Sequence, residues 1–378
     1  MWLRVIARVL VVSLVASCGA PLEGSVMSNV TLVSPIGFSV EASAKPPLQG
    51  WVNELQAFGV EPVGEGRLDQ RVVQGTLVAT ISYASEETPF ELVVARKGAA
   101  ARRRPAPWTC VASPAELERS GDNLWVHCLD PSVGGDEMIN AFWHSADAGS
   151  SWTRAGRVPM GYQMYAIAGD TLFGVGWDKS KDSLTVTKFS RSGGEWVFVT
   201  TPLGASKRPA GHGGVQAVVA SLDGKDVAVI ASAHDAFPGS HIWTSRDGAA
   251  TFKGPQALAM PTTADIVTPS LVGGTLRFVL DYREEPGPPL ARAVLRDDGA
   301  VALKLVDMPT RTRLRCGWGE NVVASRGASF LLSSDFGASF RVIAPPIDGA
   351  TDPDASSYAS CEETGFRLYD FFHAWPPR

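Results

Sequence analysis

Ser145-Ala-Asp147-Ala-Gly149-Ser-Ser151-Trp152, Ser245-Arg-Asp247-Gly-Ala249-Ala-Thr251-Phe252 and Ser333-Ser-Asp335-Phe-Gly337-Ala-Ser339-Phe340 are one phrase written three times, and its recurrence decides the fold. Each copy follows a short β-rich run: Phe142-Trp143, Ile242-Trp243 and Phe330-Leu331-Leu332. That order reads as a strand entering a tight turn. An Asp carboxylate accepts backbone N–H bonds inside such a turn, Gly tolerates positive φ, and the closing aromatic packs in the core. Only the middle copy departs from the phrase, with Ala249 where Gly is expected. Asp147, Asp247 and Asp335 are therefore read as scaffolding, not as catalytic carboxylates.

The three copies stand about two blade lengths apart, which calls for weaker copies between them. Ser190-Arg-Ser192-Gly193-Gly194-Glu-Trp196 is a shortened one, Arg296-Asp297-Asp298-Gly299-Ala-Val301 an eroded one, and Val93-Val94-Ala-Arg96-Lys97-Gly98 precedes the first full copy. Six hairpins at intervals of about 40–55 residues have the spacing of four-stranded propeller blades. Between them run short apolar strands such as Leu124–Cys128, Leu172–Val175, Val227–Ala231 and Leu276–Leu280. No long helical period interrupts them, although residues 51–58 read as a short helix. The expectation is an all-β chain, a β-propeller of four-stranded antiparallel blades. Seven blades are expected, or six if residues 20–60 lie outside the ring. The C-terminal strands carry no repeat after them, so N-terminal strands at residues 30–33 and 38–42 are expected to complete the last blade.

The phrase resembles the Asp-box, S-x-D-x-G-x-[ST]-[WF], of the sialidase-like, sortilin-like and photosystem-assembly propellers; two copies match every defined position. The resemblance implies that Ser145, Asp147, Gly149, Trp152, Ser245, Asp247, Phe252, Ser333, Asp335, Gly337 and Phe340 build turns between third and fourth strands, on the side away from a ligand. Ligand contacts then fall on the opposite rim, among residues such as Arg157, Tyr162, Trp177, Arg208, His212, His234, Phe237, Arg311, Arg313 and Trp318. Kinship with sialidases would add three arginines for a sugar carboxylate, a Tyr activated by a Glu, and an Asp acid/base. Tyr282 with Glu284 or Glu285 is the candidate pair, and Arg157, Arg208, Arg283, Arg311 and Arg313 are the candidate guanidinium groups. Arg157-Val158-Pro159 is the nearest match to the family's Arg-Ile-Pro motif, but it follows the first full repeat instead of preceding it. Fold does not transfer chemistry. The preferred reading is a binding module for a glycan, peptide or envelope protein, with a sialidase-like glycoside hydrolase as the alternative. An assembly factor resembling the photosystem-assembly propellers is a narrower form of the first.

The 378 residues carry 34 basic and 39 acidic side chains, a net charge of -5, without the single-sign field that recruits nucleic acid. Arg102-Arg103-Arg104 reads as a solvated stretch. Arg4 and Arg8 precede an apolar run, Val9–Ala16, too short to span a bilayer of about 30 Å, as in an export signal. Val15-Ala16-Ser17-Cys18 resembles the bacterial lipobox, which implies a signal peptide at 1–17, a lipidated Cys18 and tether at 18–29, and a propeller at 30–378. The rival is an ordinary secretory signal. Gly19 after the cysteine points to the outer membrane, periplasmic or surface-facing. Cys110, Cys128, Cys316 and Cys361 remain, an even set in an oxidising compartment. Of three connectivities, the blade register favours Cys110–Cys128 with Cys316–Cys361. It places the first pair on first and second strands of one blade and the second pair on first strands of successive blades. No CxxC, HExxH, Walker or Rossmann pattern occurs, so no metal or cofactor is expected. The membrane is the expected partner through the lipid, and a monomer is the expected state.

Overall fold

The computed structural model describes residues 40–41, 51–61, 67–82, 90–110, 115–130, 139–159, 165–178, 183–203, 215–233, 239–258, 265–281, 290–295, 301–306, 312–326, 329–343, 359–368 and 371–376. β1 (Val40–Glu41), β2 (Trp51–Asn53) and α1 (Glu54–Ala57) come first. Six meanders of four strands follow. They are β3 (Arg67–Val73), β4 (Thr76–Ser82), β5 (Glu91–Arg96), β6 (Arg102–Pro105); β7 (Glu116–Ser120), β8 (Asn123–Leu129), β9 (Ile139–Ser145), β10 (Thr153–Pro159); β11 (Tyr165–Ala168), β12 (Thr171–Asp178), β13 (Ser183–Ser192), β14 (Glu195–Pro202); β15 (Val215–Ala220), β16 (Val227–Ala233), β17 (Gly239–Ser245), β18 (Lys253–Leu258); β19 (Asp265–Val272), β20 (Thr275–Asp281), β21 (Leu290–Leu295), β22 (Val301–Val306); and β23 (Thr312–Trp318), β24 (Asn321–Arg326), β25 (Ser329–Ser333), β26 (Phe340–Ile343). β27 (Ala359–Glu362), β28 (Gly365–Leu368) and β29 (Phe371–Ala374) end the chain.

These strands form seven sheets. Six are blades of four consecutive antiparallel strands, and the seventh is composite, joining β27, β28 and β29 to β2 from the other end of the chain. The first strands of neighbouring sheets pack on one another, β3 on β7, β11 on β15, β15 on β19, β19 on β23 and β23 on β27. The arrangement is a β-propeller with the first strands around its axis.

A single small sheet cannot cover its own apolar faces, so the core lies between blades. Phe173, Val175 and Val186 of the third blade meet Val218, Val229 and Trp243 of the fourth in one buried cluster. Each such burial is worth about 1.5–3 kcal/mol. The blades approach closely enough that a Cβ on Gly156 would lie 2.5 Å from the Phe189 ring.

Closure differs from the sequence expectation. The last blade is completed by Trp51–Asn53, which pair with Phe371–His373. Val40–Glu41 instead add in parallel outside β26 of the sixth blade, and residues 30–33 lie outside the described residues. Residues 51–58 are part strand and part helix. Asn53 ends the strand and caps the helix, its side chain accepting from Gln56 N at 3.0 Å. The cap fixes both the end of β2 and the position of Glu54, which the ring closure then uses.

Both disulfides have the favoured pairing, Cys110–Cys128 and Cys316–Cys361. Cys316 and Cys361 sit on first strands of consecutive sheets. Cys110 is a correction: it precedes the first strand of its blade, which begins only at Glu116, and pairs with Cys128 on the second. Closing chain segments of 18 and 45 residues is worth about 3–4 kcal/mol each in the chain-entropy account.

Candidate functional site

The three repeat turns join third to fourth strands, β9 to β10, β17 to β18 and β25 to β26. Their hydrogen bonds are superimposable. Ser145, Ser245 and Ser333 donate to the following Asp at 2.8, 2.8 and 2.7 Å, and each hydroxyl accepts from the backbone N–H four residues on. Asp147, Asp247 and Asp335 then accept from the backbone N–H and hydroxyl of Ser151, Thr251 and Ser339. Partial burial works against these carboxylates ionising, but the donated hydrogen bonds outweigh it and hold all three below their ordinary value, Asp247 at about 2. Two consecutive residues in each turn have positive φ, Ala148–Gly149, Gly248–Ala249 and Phe336–Gly337. The middle turn has its one glycine a place earlier, at Gly248, so Ala249 takes the second left-handed position where Ala148 and Phe336 take the first. The shortened repeat is the β13–β14 turn, with Gly193 and Gly194 at positive φ; residues 296–300 lie outside the described residues.

In an antiparallel meander the first-to-second turns lie at the same end as these third-to-fourth turns. That end holds a cavity of about 560 Å³. It is lined by such turns from four consecutive sheets: Ser221, Asp223 and Asp226; Leu271–Gly273; Trp318, Gly319 and Asn321; and Glu363, with Trp375 beside it. Sequence supplies the shape of the first turn. The Ser221 hydroxyl donates to Asp223 at 2.6 Å, and Asp223 accepts from Lys225 N at 3.1 Å, repeating the local pattern of the longer phrase. Those bonds hold the Asp223 carboxyl below its ordinary value. Asp226 pairs with Arg246 at 2.9 Å. Trp375 is fixed by stacking on Phe366 at 5.1 Å and by donating to Glu362 O at 2.8 Å. The cavity thus offers indole surface beside carboxylates and the Asn321 amide.

Nearer the axis, between the second and third blades, Tyr165, Glu118 and His127 meet. Tyr165 Oη donates to Glu118 Oε1 at 2.6 Å and lies 2.7 Å from His127 Nε2, which is itself 2.9 Å from the same carboxylate oxygen. Burial opposes charge on both acid and imidazole, but their mutual hydrogen bond and attraction win, so Glu118 is lowered and His127 raised. Tyr165 is pushed well above its ordinary value by burial and by Glu118, which leaves it a protonated donor. Asp69 joins this wall to the first blade, taking Arg71 at 2.6 Å and Leu117 N at 2.8 Å.

The sequence candidates are dispersed. Arg157 lies on the outer strand β10 and pairs with Asp130 at 2.7 Å, beside Arg154 on the same carboxylate. Arg313 lies on the inner strand β23, opposite Ser325. Tyr162, Arg208, His212, His234, Phe237, Tyr282, Arg283, Glu284, Glu285 and Arg311 lie outside the described residues, and Trp177 is placed only by its backbone on β12. Trp318 is a correction: it was expected on the far rim, but it lines the cavity on the repeat-turn side, because the first strand of its blade ends there. Glu118, His127 and Tyr165 were missed. The one local signal was the alternation Glu116-Leu-Glu118, which puts both acids on one face of a strand.

No family model matches the chain, and no curated protein does either. Solved structures do resemble it. Prolyl oligopeptidase B of Galerina marginata shares 14% identity over 82% of this chain and 47% of its own, with a TM-score of 0.49. YCF48 bound to a D1 peptide shares 12% over 83% and 95%, with a TM-score of 0.39. A Penicillium chrysogenum α-L-arabinanase complexed with arabinobiose shares 16% over 80% and 84%, with a TM-score of 0.35. The chain spans less than half the length of the prolyl peptidases it resembles, 43% and 47%. Likeness of this degree carries over no activity and no ligand.

Proposed function

We propose that this propeller is a ligand-binding module of the bacterial cell envelope, exported by its first seventeen residues and tethered through a lipidated Cys18. The ligand is a glycan or an extended segment of an envelope protein. The observation that supports the reading is the cavity of about 560 Å³, with Trp318 and Trp375 beside Asp223, Asp226 and Asn321. Binding sites of this kind combine apolar or aromatic surface with a few convergent polar groups. An indole face takes a sugar ring or an aliphatic side chain, while the carboxylates and the amide read hydroxyl or amine donors.

The test is a glycan-array and envelope-protein pull-down screen with the full chain, repeated with Trp318→Ala and Asn321→Ala. A retained ligand whose affinity falls at least about tenfold in either variant supports the reading, since tenfold corresponds to about 1.4 kcal/mol. A ligand indifferent to both substitutions moves the site elsewhere, and the absence of any retained ligand removes the proposal. The sialidase-like alternative depends on Tyr282, Glu284 and Arg283; turnover of a fluorogenic sialoside that is lost in Tyr282→Phe would favour it.

A further inference from the structure

Outer strands are the exposed edges of a propeller, and each described edge here except one is guarded. β6 is Arg102-Arg103-Arg104-Pro105, exposed throughout. β10 carries a register break between Arg154 and Gly156. β18 contains Pro255 and another break, β22 carries Lys304 at its centre, β26 is covered by β1, and β2 is three residues long. Charge, proline, bulges and brevity are the devices by which sheets avoid pairing edge to edge. β14 has none of them along its central run. Glu195-Trp196-Val197-Phe198-Val199-Thr200-Thr201-Pro202 pairs with β13 in unbroken register over all eight residues. No described strand pairs with its other side. Phe198 is 71% exposed and Val199 60%, with Val197 exposed beside them.

The geometry points to a second copy of this chain as the occupant of that edge: two β14 strands pair antiparallel about a two-fold axis through Phe198, fusing two third blades into one continuous sheet. The strand is self-complementary about that residue. Phe198 meets Phe198, Val197 meets Val199, Trp196 meets Thr200 and Glu195 meets Thr201, so every facing pair is neutral or apolar at the centre and no like charges oppose. A closed two-fold contact demands this matching of one surface to itself. The core of the strand is uncharged from Trp196 to Thr201, the composition that pairs when left at an edge. Trp196 is anchored inward, donating to Thr153 Oγ1 at 3.1 Å and packing on Trp125 at 5.6 Å, so the edge is presented as a fixed strand. This pairing replaces the monomer expected from sequence and does not depend on the ligand reading.

The full chain, purified in mild detergent, is measured by native mass spectrometry and by light scattering, beside Val199→Lys. Val199 is a solvent-facing side chain, so the variant keeps its circular dichroism and melting temperature. The expected result is the mass of two chains at about 50 µM, reduced to one chain in Val199→Lys, as for a small interface of micromolar affinity. In parallel, oxidised Phe198→Cys gives a covalent dimer in the envelope, whereas Arg103→Cys on β6 does not, because facing Cα atoms in an antiparallel pair lie about 4.5–5.5 Å apart, within disulfide reach. A monomer at that concentration, a dimer unaffected by Val199→Lys, or a Phe198→Cys adduct with a different protein overturns the proposal.

Discussion

Arg367 holds Glu54 through two hydrogen bonds, of 3.0 and 3.2 Å, across 313 residues of chain. Its third guanidinium nitrogen reaches Glu362 at 2.7 Å, and its plane lies over Phe372 at 5.1 Å. Glu54 opens the helix that follows the closing strand, while Arg367 lies on the sheet that the strand completes. A buried ion triad therefore fastens the two ends of the ring beside the hydrogen bonds of β2 to β29. The Arg367 and Glu54 side chains are nearly inaccessible to solvent. Removing one member leaves the others under-compensated where water cannot replace it.

Glu54→Ala is expected to lower stability by about 3 kcal/mol, read from urea unfolding of the full chain, since it leaves the buried Arg367 with two unmet hydrogen bonds and Glu362 as the carboxylate that remains of the triad. Glu362 adds a pH dependence. Burial would raise its pKa, but the charge and hydrogen bond of Arg367 outweigh burial and lower it below the ordinary 4.5. Its contribution is present above that ordinary value and is lost as pH falls through the lowered one. Glu362→Gln should flatten the acid side of the stability profile, and an unchanged profile would count against the triad.

Gly149→Ala should destabilise the second blade by about 1–3 kcal/mol, combining positive-φ strain with overpacking. Gly149 has φ +80, and a Cβ there would lie 2.9 Å from Val78 Cγ2 of the first blade. Adding Val78→Ala relieves the overpacking but not the strain, so a double-mutant cycle on thermal unfolding separates the two.

His127 is expected to titrate above its ordinary 6.5, followed by imidazole NMR shifts, because Glu118 and then Glu116 and Asp69 overcome the penalty of burial. A raised folded pKa gives stability that is complete below the unfolded value and is lost as pH rises through the folded one. Stability should thus decline on the alkaline side of 6.5, and His127→Gln should abolish that decline. If the wild type shows no such slope, the Tyr165–Glu118–His127 cluster is not as drawn.

Cys18→Ser should shift the protein from the membrane to the soluble fraction of the envelope, since the proposed function assigns its hold on the membrane to the acyl chains on Cys18. Fractionation that does not change sinks the lipid anchor while leaving the propeller untouched.

The Ser, Asp and Gly of the repeat turns were legible because the hydrogen bonds that shape each turn join residues no more than four apart. Strand alternation and the even set of cysteines were legible for the same reason of local pattern. The closing strand was misplaced because residues 51–58 read as one short helix, whereas the cap at Asn53 ends a strand there and starts the helix only at Glu54, where the contact with Arg367 holds it. Trp318 was expected on the opposite rim because nothing local marks it as the last residue of an inner strand. Tyr165 and Glu118 stand 47 residues apart, and no spacing rule relates them.

By itself, the sequence determined an all-β chain of repeated hairpins and the chemistry of each turn, because hydrogen bonds between near neighbours are written in contiguous side chains. Tertiary structure alone decided which ends meet, which Tyr faces which Glu, and where aromatic and acidic side chains converge. Those relationships depend on how whole sheets stack to bury surfaces that none can cover alone. A packing solution summed over seven sheets has no single stretch of residues in which it can be read.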